Sequence, residues 1–62
     1  MEEYQKRVII EADELDDKIT KLATFLAFPN DVQPPELNRL EHQLAAMKLY
    51  SYILHNRIKH FI

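Results

Sequence analysis

Three histidines, one serine on the apolar seam and a set of cations near the two chain ends are the residues on which chemistry could rest in this 62-residue chain. Metal ligands carried on one helix need spacings of three or four residues. His55 and His60 are five apart, about 140° around a helix, so no zinc or di-iron pattern forms. The chain has no cysteine, which removes zinc ribbons and disulfide frameworks. It has no glycine, which removes every glycine-built loop that cradles a phosphate. Ser51 reads as a small residue that lets two helices approach, rather than as a nucleophile. These residues predict no enzyme, no metal and no cofactor.

The cations carry more. Lys6 and Arg7 lie near the start of the chain, with Tyr4 beside them, and Arg57, Lys59 and His60 lie near its end. A fold that brings the two ends together gathers all six into a candidate ligand site. Arginine forks and lysine ammonium groups suit phosphate, and a tyrosine ring suits a base. Ordinary complementarity to the helix dipole explains the same charges without a ligand, and Glu2 and Glu3 stand nearby. The acidic run Glu11, Asp13, Glu14, Asp16 and Asp17 is interrupted by Leu15, as a solvated helix face is, and a nucleic-acid mimic is disfavoured. The overall charge of −2 also disfavours nucleic acid as a partner.

Two elements must position these residues. The spacing predicts a helix over 2–28: Val8, Ala12, Leu15, Ile19, Leu22 and Leu26 repeat in steps of four and three, a coiled-coil seam. Ile9, Ala23 and Phe25 broaden it. Oppositely charged residues four apart mark the solvated face: Glu2 with Lys6, Glu3 with Arg7, Glu14 with Lys18, and Asp17 with Lys21. All three prolines fall at positions 29, 34 and 35, which predicts a loop over 29–34. A second helix follows over 35–61, with Leu37, Leu40, Leu44, Met47, Ser51, Leu54, Ile58 and Phe61 as its seam. Matched lengths of about 40 Å and a short connector predict one all-α domain over 1–62, an antiparallel helical hairpin. No apolar run approaches the ~20 residues that cross a membrane, and the N-terminus lacks a secretory apolar core, so no membrane partner is expected.

One seam leaves much apolar surface wet. Around Met47–Leu54 the second helix adds Leu49, Tyr50, Tyr52 and Ile53 to its seam residues and is apolar nearly all round, the mark of burial on two sides. A second copy supplies the other side, so these four residues are the expected interface of a homo-oligomeric bundle. A dimeric four-helix bundle is the simplest form, and a trimer of dimers the next. The same tyrosine-rich wall would also suit a ligand.

Residues 7–26 and 43–58 resemble a family of small α-helical hairpin accessory proteins encoded by phages and prophages. The first match rests on Arg7, Val8, Glu14, Leu15, Lys18, Ile19, Lys21, Leu22 and Phe25. The second rests on Gln43, Leu44, Ala46, Met47, Tyr50, Ile53, Leu54, Arg57 and Ile58. Relatives commonly place a glycine just before the final Arg-Ile pair, where this chain has His55 and Asn56. The resemblance implies an accessory protein of the host bacterial cytoplasm. Some such hairpins are oligomeric sponges for the cyclic-nucleotide signals of host antiviral defence; others bind and block a host defence protein. Three functions are therefore open: a cyclic-nucleotide sponge, a protein-blocking module or structural adaptor, and an RNA-binding four-helix bundle.

Overall fold

The computed structural model describes residues 1–61 and is an all-α antiparallel hairpin. Ile62, the last position of the domain expected over 1–62, lies outside the described residues. Helix α1 spans Glu3–Ala27 and helix α2 spans Pro34–Lys59. The molecule measures 45 × 14 × 14 Å, the proportions of two helices lying side by side along their whole length.

Local chemistry sets the ends of both helices. At the start of α1 the Glu2 backbone N–H donates to Gln5 Oε1 at 2.9 Å, satisfying an amide that the helix cannot. At its end Pro29 disfavours helical geometry at the residue before it, and Phe28 is extended at φ −111° and ψ 156°. The loop turns without glycine and without any positive φ among the described residues. Asn30 does that work. Its side-chain oxygen accepts from the Val32 N–H, and its amide donates to the Phe28 carbonyl, both at 3.1 Å.

Pro34 and Pro35 then fill the first two positions of α2, where missing N–H groups cost nothing. Pro34 thus belongs to the helix rather than to the loop. The α2 helix stops at Lys59, two residues before the position expected from the apolar repeat. There the backbone tightens to i→i+3 bonds, His60 N–H to Arg57 O and Phe61 N–H to Ile58 O, and the His60 ring Nδ1 bonds the Asn56 carbonyl.

The core is small and off-centre. Val8, Ala12, Leu15 and Leu54 are its buried apolar members, with Ser51 buried beside them. Ile19, Met47, Ile58 and Phe61 pack around that cluster. Toward the loop the seam residues Leu22, Leu26, Leu37, Leu40 and Leu44 are only half-buried. Ala12 and Ser51 give the reason: small side chains at mid-seam let the backbones approach, so the half nearer the chain ends closes tightest.

Candidate ligand-binding site

Every helix-to-helix polar contact among the described residues lies in that tight half. Gln5 Nε2 donates to the Phe61 carbonyl at 3.5 Å, and the Tyr4 ring meets the Phe61 ring edge-on with centroids 5.9 Å apart. The Tyr50 hydroxyl donates to Glu11 on one side of the seam. Across the hairpin axis Asp16 receives two donors from α2. The Ser51 hydroxyl reaches Oδ1 at 2.5 Å, and His55 Nε2 lies 2.7 Å from Oδ2. A carboxylate can only accept, so His55 Nε2 carries its hydrogen and Nδ1 is the nitrogen left over. These bonds, Ser51's first and then that of His55, hold the Asp16 carboxyl below the ordinary aspartate value, against a smaller opposing push from burial.

Asp16, Ser51 and His55 are the residue types of a nucleophilic relay, but they are wired differently. In a relay the imidazole stands between hydroxyl and carboxylate and takes the hydroxyl proton. Here the carboxylate takes both donors, and Ser51 is tied by its own hydrogen. The arrangement is a clasp between helices. Ser51 therefore does more than permit close approach, and the legible signal is its four-residue spacing from His55. Reading His55 only against His60 misses it.

The six expected ligand residues share an end of the hairpin but not a face. Tyr4 is committed edge-on to Phe61, and the His60 ring to the Asn56 carbonyl. Lys6 stands two residues before buried Val8, about 200° around, and points away from the seam. Arg7 lies one turn before Glu11, and Arg57 two turns after Tyr50, so both arginines flank the side marked by the Glu11–Tyr50 contact. Lys59 is one turn beyond His55 and lies on the opposite side, with the Asp16 clasp. All six side chains are exposed.

On that Lys59 side an open cleft of about 230 Å³ is lined by Tyr52, His55, Asn56 and Lys59. Three of these lining residues were not among the expected ligand residues. Among the described residues no three metal-ligating side chains are grouped. The four expected interface residues also divide. Leu49 (61% exposed) and Ile53 (47%) form an outer apolar stripe one turn apart. Tyr50 flanks them with its hydroxyl held by Glu11, while Tyr52 (70% exposed) turns into the cleft. Of the four expected helix-face ion pairs, Asp17–Lys21 forms at 2.9 Å, and the neighbouring carboxylate raises the Lys21 pKa. A further pair not expected, Glu36–Arg39, closes at 2.7 Å in the first turn of α2. No helix is long and apolar enough to cross a membrane, among the described residues.

The family model described as Sequestin matches residues 2–60, and the chain belongs to that family. No curated protein and no solved structure matches it.

Proposed function

We propose that this member of the Sequestin family is a non-enzymatic sponge, a homo-oligomer of hairpins that binds and withholds a cyclic-nucleotide signal of host defence in the bacterial cytoplasm. The family match supports sequestration as such. The nucleotide is read from the cations. Arg7 and Arg57, from different helices, flank one side of the tight end, and two guanidinium forks in that position suit a bridging phosphate. Phosphate recognition of this kind needs no reaction. The clasp supports the same reading, since its hydroxyl is engaged with the Asp16 carboxylate rather than with the imidazole.

Self-association rests on the observation that carries the reading furthest: among the described residues the single hairpin leaves Leu49 and Ile53 in water while burying only four apolar side chains. That exposed stripe lies on α2 between the half-buried seam and the outer face, where a second copy covers it. Sedimentation of the chain, with and without cyclic di- and trinucleotides, tests both halves. The reading expects a species larger than one hairpin that carries nucleotide with it. A protein-blocking role is the second reading, favoured by the same exposed stripe if it stays uncovered in the oligomer.

A further inference from the structure

The cleft on the Lys59 side is distinct from the face that holds Arg7 and Arg57. Tyr52, His55, Asn56 and Lys59 stand at i, i+3, i+4 and i+7, so two turns of α2 present an aromatic face, an imidazole, a carboxamide and an ammonium in one row. Three of them are unengaged. Among the described residues the Tyr52 hydroxyl, the Asn56 carboxamide and the Lys59 ammonium have no protein partner, whereas the fourth, His55, is anchored. Its Nε2–H is fixed on Asp16 at 2.7 Å, which leaves Nδ1 as the ring nitrogen outside that bond.

We infer that this cleft is a binding site for a single flat ring carrying one anionic group, the chemistry of a nucleoside monophosphate. Each lining residue then has one task. Lys59 meets the phosphate as a point charge. Tyr52 offers its ring to the base as a stacking surface. The Asn56 carboxamide pairs with the donor and acceptor edge of the base, and His55 Nδ1, the ring nitrogen left over from the Asp16 bond, supplies a further polar contact to it. Size decides the class. At about 230 Å³ the cleft falls short of the ~300–1,000 Å³ that enclose whole drug-sized ligands, so it holds one nucleotide unit rather than a dinucleotide ring. The inference rests on the sequestering reading for its ligand class and adds a second face to it.

Nuclear magnetic resonance of the isotope-labelled full chain, titrated with adenosine monophosphate, adenosine and inorganic phosphate, tests it. The His55 ring and Asn56 side-chain amide signals should shift saturably with the monophosphate, and far less with either fragment. Lys59→Ala should weaken the monophosphate about tenfold and leave adenosine unchanged, as loss of a charge-assisted contact requires. Tyr52→Ala should weaken both, and Lys21→Ala, on the other helix and paired with Asp17, should change neither. All three side chains are exposed, so helicity serves as a control for each variant. Silence at His55 and Asn56 up to millimolar monophosphate overturns the inference, as do shifts centred on Arg57. Separate calorimetry with cyclic nucleotides tells the two proposals apart. Heat there with a silent cleft sinks the cleft alone, while a responsive cleft without that heat sinks the cyclic-nucleotide reading.

Discussion

Leu54→Ala is the substitution that weighs the hairpin's own core. Among the described residues Leu54 is the one large side chain with no exposed surface, and it packs with Val8, Ala12 and Leu15. Truncation removes its buried methine and two methyl groups from contact and leaves a void between the helices. Across other proteins that change costs ~2–5 kcal/mol, the spread reflecting how far the surroundings collapse. Here collapse is limited, because the methyl group of neighbouring Ala12 is too small to refill the space. A loss of about 3 kcal/mol follows, in the middle of that range. For so small a domain each kcal/mol moves the midpoint by roughly 4–8 °C, so melting should fall by roughly 10–25 °C. Urea unfolding followed by far-UV circular dichroism gives the free energy directly, at fixed protein concentration because association stabilises the folded state. Leu49→Ala is the comparison, since Leu49 is 61% exposed in the hairpin and lies outside its core. A loss below about 1 kcal/mol at Leu54 would refute the assignment of the core to this point on the seam.

Three further outcomes follow from the same geometry. Because the folded state holds the Asp16 carboxyl below 3.8, its ordinary value, the clasp contributes stability above that pH and loses it as pH falls through the depressed folded value. Acid unfolding curves should therefore be shallower below pH 4 for Asp16→Asn than for the parent chain, and identical curves would remove the clasp from the account. Leu49→Asp combined with Ile53→Asp should convert the associated species to a smaller, less helical one in sedimentation, whereas an unchanged mass would place the interface elsewhere. Arg7→Ala and Arg57→Ala should each weaken cyclic-nucleotide binding by ~1.5–3 kcal/mol with helicity intact, lysine restoring only part of it and added salt weakening all forms.

Much of the fold is legible in the sequence because one regularity dictates it. Every seam residue from Val8 to Leu26 and from Leu37 to Phe61 is buried or half-buried, since steps of three and four keep a single face inward over the whole length. The prolines locate the break for an equally local reason. Contacts between helices are another matter. A heptad pattern is satisfied at several sliding registers, so it does not say that Asp16 meets Ser51 and His55 or that Tyr50 meets Glu11. Half of the clasp was visible, as Ser51 and His55 four residues apart on one helix. The acid that completes it was hidden in an ordinary-looking charged face.

The cationic end shows the same limit. Gathering Lys6, Arg7, Arg57, Lys59 and His60 at one end follows from antiparallel topology, but sharing an end does not place side chains on one face. Arg57 and Lys59 are two residues apart and so point about 200° from each other around α2. The cleft depends on how Tyr52 and Lys59 project beside an anchored imidazole, and anchoring requires the partner helix.

Sequestration without turnover is the central claim, and calorimetric titration of the intact chain with cyclic di- and trinucleotides, followed by chromatography of the ligand released on denaturation, tests it most directly. The account predicts saturable heat with at least one of them, a fixed number of ligands per oligomer, and quantitative recovery of the ligand unchanged. Absence of heat with every cyclic nucleotide, or recovery of a cleaved product, would contradict it.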